Sequence, residues 1–355
     1  MIDILRDILT YISGLYTLPW ILVGFIITIL LAKIVGREKI DRIMKKIGLI
    51  LLYFFIPILA FRIFLNTDFG TKQIEFAIIV SIIVFFMYLI AFVFARYKAD
   101  SWNLEASKKR LFIKTVLTNQ GRSSAFIGGA LLATPWKVEA AIYIALVGVA
   151  LFAIIPYILS YMHKKELRNS KKVEHVKALP WFLRLFPWYL LAWVIAAIVI
   201  HAVTGITTED FGHDLEILVM FYTAITIPAA LYYVGAGIHP SDLKKSELKK
   251  LFGLTKSKEI GDHWAWVRGI VLLTVIVTPV LTVFVFAPLF AFGLISSAWF
   301  AVIIINSILP ITSTNIFLLP YGIDKKSTAH SVTWTTIICV PIVVLLITVL
   351  GIYLN

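Results

Sequence analysis

The chain has 355 residues, 60% of them hydrophobic, 14% aromatic and 15% charged, with a mean hydropathy of +0.92. Soluble globular domains are about 45–50% apolar and about 25% charged, so this composition excludes a water-soluble enzyme. Thirty-three Lys and Arg against twenty acids leave a surplus of +13, but the basic residues lie between apolar runs, so their placement matters more than their sum and no nucleic-acid partner is expected.

In chain order, residues 1–16 set Asp3, Arg6 and Asp7 among Ile4, Leu5, Ile8, Leu9 and Ile12 and lack the basic start and cleavage site of a signal peptide, which reads as a short interfacial helix. Ten apolar windows follow, at 18–36, 47–65, 74–95, 111–132, 138–162, 182–203, 215–238, 265–290, 297–320 and 328–353. The expected fold is therefore an all-α integral membrane protein of ten transmembrane helices. The single cysteine, Cys339, excludes an intramolecular disulfide and Cys-rich metal motifs.

Basic residues stay on the cytoplasmic side of a membrane. The loops after spans 1, 3, 5, 7 and 9 hold 24 Lys and Arg, and the opposite side holds Arg6, Lys72 and Lys137. The remaining six, Lys33, Arg62, Lys114, Arg122, Arg184 and Arg268, fall within spans. This asymmetry places both termini outside a plasma membrane. Trp20, Trp136 and Trp299 at outer ends, and Trp102, Trp181, Trp188, Trp264 and Trp266 at inner ends, agree with it. The loops 163–181 and 239–264 are basic enough to lie against anionic headgroups, but ordinary retention of basic residues on the cytoplasmic side is the expected reading.

The two halves echo each other. Leu18-Pro19-Trp20 matches Leu179-Pro180-Trp181, Pro57 in span 2 matches Pro228 in span 7, and Pro156 in span 5 matches Pro341 in span 10. Five spans per half invert the second half in the membrane, giving a first repeat over 1–163, a cytoplasmic linker over 164–181 and a second repeat over 182–355. Inverted repeats with broken helices at the midplane are characteristic of secondary transporters.

An unpaired polar group in hydrocarbon costs several kcal/mol, so midspan polar clusters are functional candidates. Span 4 carries Thr118, Asn119, Gln120, Gly121, Arg122, Ser123 and Ser124; span 9 carries Asn306, Ser307, Pro310, Thr312, Ser313, Thr314 and Asn315. Both helices are expected to break there, the first at its polar run and the second at Pro310, which lacks a backbone donor. Half-helix ends would then face the midplane, attracting anions at N-termini and cations at C-terminal carbonyls. The alternative is polar glue between packed helices.

Arg122 lies too far from either span end to snorkel, whereas the other five in-span cations, Lys114 among them, lie near ends. Two roles are open to it, partner of an anionic substrate or structural cation held by the carbonyls of the broken helices. No Asp or Glu lies midspan. Any coupling would fall to Na⁺ held by neutral oxygens near Asn119, Ser307, Thr312 and Asn315, and otherwise the carrier is uncoupled. No G-x-x-x-x-G-K-[ST], H-E-x-x-H or G-x-S-x-G motif occurs, so neither ATP-driven transport nor enzymatic activity is expected. Gly235 after Pro228 is expected to serve helix packing.

Residues 227–237, with Ile227-Pro228-Ala229-Ala230-Leu231, Gly235 and Gly237, together with Pro310, Asn315, Tyr321-Gly322-Ile323-Asp324 and the segment Ser327 to Ser331, resemble the auxin efflux carrier family; Asn119, Gly121, Phe126 and Gly128 resemble its first crossover helix. That family sits in the superfamily of bile acid, arsenite and riboflavin transporters. The resemblance implies broken helices 4 and 9 crossing at a substrate site, with Asn119 and Gly121 at the first crossover and Pro310 and Asn315 at the second. It also implies elevator-type alternating access.

The reading of the sequence is thus a secondary carrier of a small organic anion, auxin-like or another carboxylate, with no cofactor other than a candidate Na⁺; the bilayer is its surrounding and a homodimer is left open. The alternatives are a sodium-coupled carrier like the bile acid symporters and a ligand-sensing membrane module without transport.

Overall fold

The computed structural model describes residues 19–124, 127–170, 181–238, 244–254 and 263–354. The interfacial helix read over 1–16, Phe126 and much of the two long basic loops lie outside the described residues. In chain order the helices are α1 (Trp20–Val35), α2 (Arg37–Ile50), α3 (Ile56–Leu65), α4 (Thr71–Ser101), α5 (Ala106–Thr118), α6 (Lys137–Val149), α7 (Ile155–Ser170), α8 (Trp181–Thr204), α9 (His213–Ala236), α10 (Lys245–Leu251), α11 (His263–Leu272), α12 (Thr278–Ala291), α13 (Ser297–Ser307) and α14 (Lys325–Tyr353). Among the described residues there is no strand, only one isolated β-bridge.

Five continuous runs among the described residues are long and apolar enough to cross a membrane: Arg37–Leu65, Thr71–Ser101, His213–Ala236, His263–Ala291 and Lys325–Tyr353. Trp20–Val35, Trp188–Thr204 and Ser297–Ser307 are shorter apolar helices. The protein is all-α, with the helix lengths of a membrane protein.

Three helical stretches are not uniform. Leu51–Phe55, Ala150–Ile154 and Leu273–Val277 are π-helical, and each ends two residues before a proline, Pro57, Pro156 and Pro279. A proline has no N–H for the i−4 carbonyl and its ring crowds that carbonyl. The preceding turn widens instead: the N–H groups of Ile56, Ile155 and Thr278 bond five residues back, to the carbonyls of Leu51, Ala150 and Leu273. Pro228 and Pro341 lie inside uninterrupted α-helix, so the prolines matched between the two halves do not share a local backbone.

The chain divides into two compact units, each drawn from both halves of the sequence. The first comprises Met1–Ala77, Ala125–Ala145 and Phe186–Ile238. Its α1 and α9 meet through reciprocal glycines. A Cβ on Gly24 would fall on the carbonyl of Tyr232, and one on Gly235 would fall on the carbonyl of Ile21. Only glycine permits this backbone approach. Several polar side chains in this unit find partners: Arg62 donates to Thr223 Oγ1 at 2.6 Å, and Asn66 donates to Thr208 Oγ1 at 2.9 Å while its Oδ1 accepts the Thr208 N–H at 3.0 Å.

The second unit comprises Ile78–Ser124, Leu146–Leu185 and His239–Asn355. Small residues at every fourth position of α4, Ala91, Ala95 and Ala99, are fully buried and join Phe112 and Val116 of α5 with Trp266 and Ile270 of α11 in one core. Phe112 is sandwiched, its ring 5.3 Å from Trp102 and 5.1 Å from Trp266. Such aromatic pairs add about 0.5–1.5 kcal/mol each beyond their area. This core fixes α5, and with it the position at which α5 ends.

Candidate functional site

The polar run of span 4 stops α5 at Thr118. Asn119 still bonds back to the carbonyl of Thr115, at 3.1 Å, and the N–H groups of Gln120 and Gly121 reach those of Leu117 and Thr118 in a closing turn, both at 3.1 Å. In the second element α13 stops at Ser307, and Pro310 follows after Ile308 and Leu309. The helix resumes only as a 3₁₀ segment, Ser313–Tyr321. Both breaks fall where the sequence placed them.

The two interrupted chains then cross antiparallel. Arg122 pairs with Ile311 in the isolated bridge, through Ser123 N–H to the Pro310 carbonyl at 2.8 Å and Thr312 N–H to the Gly121 carbonyl at 2.9 Å. The Ile311 N–H is taken by Thr335 Oγ1 of α14 at 3.1 Å, and that hydroxyl donates to the Ser331 carbonyl at 2.7 Å. Backbone groups freed by the breaks are therefore shared between the elements, as burial demands.

The crossing is buried throughout. Asn119, Gln120, Arg122, Ser123, Ser124, Asn306, Ser307, Pro310, Thr312, Thr314 and Asn315 are all buried, and Ser313 is half-buried. Ser124 Oγ lies 3.4 Å from Asn306 Oδ1, and the Asn306 amide donates to the Val302 carbonyl at 2.8 Å. Thr312 and Thr314 join their hydroxyls at 3.0 Å. Ser307 turns back to its own helix, donating to the Ile304 carbonyl at 2.7 Å. The hinge and packing candidates Pro57, Pro228 and Gly235 lie in the first unit.

Arg122 is 2% exposed. Its guanidinium lies 3.4 Å from the Leu309 carbonyl and 3.4 Å from Gln120 Oε1, both at the long end of the hydrogen-bond range. Lys114 corrects an expectation. Placed by the sequence near a span end, it is instead 2% exposed, and its Nζ donates to the Tyr321 carbonyl at 3.2 Å. The reason is the 3₁₀ segment, whose last carbonyls lack helical partners and draw a cation. Among the described residues Lys114 and Arg122 are the two buried charged side chains, and no carboxylate is buried.

Several buried polar atoms at the crossing have no hydrogen-bond partner among the described residues: Thr118 Oγ1, Asn119 Oδ1, Gln120 Nε2, Ser313 Oγ, both carboxamide atoms of Asn315, and Ser327 Oγ and Ser331 Oγ on α14. Asn315 is fully buried, and its Oδ1 lies 2.6 Å from where a Cβ on Gly121 would stand. Asn119 is held by donation from Nδ2 to the Thr115 carbonyl at 2.8 Å and to Thr328 Oγ1 at 3.2 Å, which leaves its Oδ1 as the open atom. Of the four candidate Na⁺ ligands, Asn119 and Asn315 thus keep open oxygens, whereas Ser307 and Thr312 are engaged. No group of three or more His, Cys, Asp or Glu side chains suited to a metal occurs among the described residues.

Sequence reasoning missed the contribution of α14 as a polar face. Ser327, Ser331 and Thr335 recur at every fourth residue, and all three are fully buried. That spacing was a readable signal for one stripe of a helix turned inward. No protein-family model matches the chain, and no curated protein matches it in sequence.

Proposed function

We propose that the protein is a secondary carrier of a small organic anion, a carboxylate, that binds at the crossing of the two broken elements. The observation that carries this reading is electrostatic. The crossing buries two cationic side chains, Lys114 and Arg122, and no carboxylate among the described residues, so the charge it buries has the sign that attracts an anion. Asn315 supplies an open carboxamide to the carboxylate, and Arg122 supplies charge.

The carrier reading brings with it ten spans in two inverted repeats, both termini outside the plasma membrane, and alternating access of the elevator kind. A second reading, cotransport with Na⁺, is favoured by the open oxygens of Asn119, Asn315 and Thr118; a bound carboxylate would lower the cost of a further cation beside Lys114 and Arg122.

The test is uptake of radiolabelled organic acids by liposomes holding the purified protein, in Na⁺ or choline, beside thermal stabilisation by the same acids. Saturable uptake of one acid class that fails in Arg122→Gln and Asn315→Ala is expected. Stabilisation without uptake would turn the assignment to a ligand sensor, and indifference of both variants to every acid would remove the site.

A further inference from the structure

The second unit holds a recess of about 350 Å³ that the substrate site does not use. One wall is α4, with Phe85, Leu89 and Phe92; the other is the π-helical turn and the start of α7, with Ala150, Ile154 and Ile158; Leu117 of α5 closes the end. Ser81 and Tyr88 carry the only polar side-chain atoms of the lining. A water molecule needs two to four polar partners, so an apolar recess of this size does not hold water stably. Its volume lies at the lower end of small-ligand sites, about 300–1,000 Å³.

The rim is open to the surroundings, Phe85 being 63% exposed and Ile154 52%. Its Phe85 side belongs to the run Thr71–Ser101, whose 31 residues are long and apolar enough to cross a membrane. At that depth the surrounding medium is hydrocarbon, and the molecule that fills an apolar recess is an alkyl chain. The floor also touches the crossing from behind. Leu117 is the penultimate residue of α5 before its break, and Leu151, next to Ala150 in the π turn, has Cδ1 2.6 Å from where a Cβ on Gly121 would stand. The π turn thus has the recess on one side and Gly121 on the other.

We propose that this recess is an acyl-chain site, filled by one chain of a bilayer lipid, and that the chain buttresses the π turn against the crossing. The inference rests on the membrane reading of the apolar helices and not on the anion-carrier reading. Ala150 is the small residue that leaves the space, so a larger side chain there takes the place of the lipid.

The experiment uses the purified full chain in vesicles of phosphatidylcholine doped with a phosphatidylcholine whose acyl chain carries a diazirine. After illumination, adducts are mapped by peptide mass spectrometry. The expected result is labelling of residues 81–92 and 146–158 severalfold above that of the exposed α12 face around Phe284, falling severalfold in Ala150→Leu. Because Ala150→Leu falls in the π turn and could impair folding, Ile158→Trp, which narrows the recess from its rim, is measured in parallel and is expected to lower the same adducts. Equal labelling of the recess and the α12 face, or adducts unchanged in both variants, would overturn the proposal. Competition by soluble decanoate but not by unlabelled phospholipid would also overturn it, in favour of an amphipathic ligand. Anion uptake is read separately, so loss of the carrier activity alone leaves this result standing.

Discussion

The two units differ in how much buried polarity they leave open, the first leaving among the described residues only atoms of Arg37 without a hydrogen bond. In the first, Arg62, Asn66 and Thr208 are matched to one another or to neighbouring backbone, and α1 and α9 close on backbone contacts at Gly24 and Gly235. In the second, two helices are broken, Lys114 and Arg122 are buried, and atoms of Asn119, Asn315, Ser327 and Ser331 are left open. Satisfied polar groups lend a structure rigidity, and open ones are kept at a cost of about 1–3 kcal/mol each. The contrast sets a largely matched region against one that keeps buried polar atoms open, where the proposed site lies.

The sharpest way to break this comparison is at the reciprocal glycines. Gly235→Val sets side-chain atoms onto the Ile21 carbonyl, and neither backbone can retreat; it is expected to cost about 3 kcal/mol or more, read as a large fall in melting temperature. A melting temperature unchanged by Gly235→Val would mean that the first unit is looser than its contacts suggest. Next comes Asn315→Leu, which should separate stability from function. Replacing an open buried carboxamide by an apolar side chain is expected to raise stability by about 1 kcal/mol. Under the proposed function it should also weaken binding of the organic acid about tenfold or more, the worth of a hydrogen bond to a charged group. Loss of stability without loss of binding would make Asn315 a structural residue and erase the contrast.

In the first unit Asn66→Ala removes both partners of Thr208 and is expected to cost about 1–2 kcal/mol in thermal unfolding without altering acid binding. The smallest effect is at Glu247 on α10. Its hydrogen bond from Lys250, at 2.9 Å, with help from the charges of Lys250, His330 and His263, holds the carboxyl below its ordinary range. A carboxylate depressed on folding contributes stability above its unfolded pKa and loses it as the pH falls through the folded one. The pair is solvent-screened, so Glu247→Gln is expected to lower stability by about 0.3 kcal/mol at neutral pH, and the difference from the parent should vanish in acid.

Much of the second unit was legible from residues alone. The polar run from Thr118 to Ser124 and the proline at 310 told where two helices must stop, because each removes the conditions for a continuous helix in hydrocarbon. What they could not tell was the partner of each freed backbone group, since the pairing of Arg122 with Ile311 joins positions 189 residues apart. Lys114 was misplaced for a related reason. Its place near a span end suggested an interface, but its environment is set by the end of a 3₁₀ segment about two hundred residues away. The π turns had a local signal in Pro57, Pro156 and Pro279, yet Pro228 and Pro341 carry the same residue without the widening, so proline alone does not decide it.

The bridge between the broken elements has a further property that follows from its two bonds. To lengthen into a ladder it would need a second bond at each end, from the nitrogen of residue 310 to Ser123 and from the N–H of Gly121 to Thr312. The first cannot form because residue 310 is proline, and the second is forestalled because the Gly121 N–H already bonds the Thr118 carbonyl. Extended backbone in a protein interior is usually a template for more of the same; here both growing ends are stopped at birth. The crossing is thus a joint of fixed length, able to hold two chain breaks together without growing into a longer ladder.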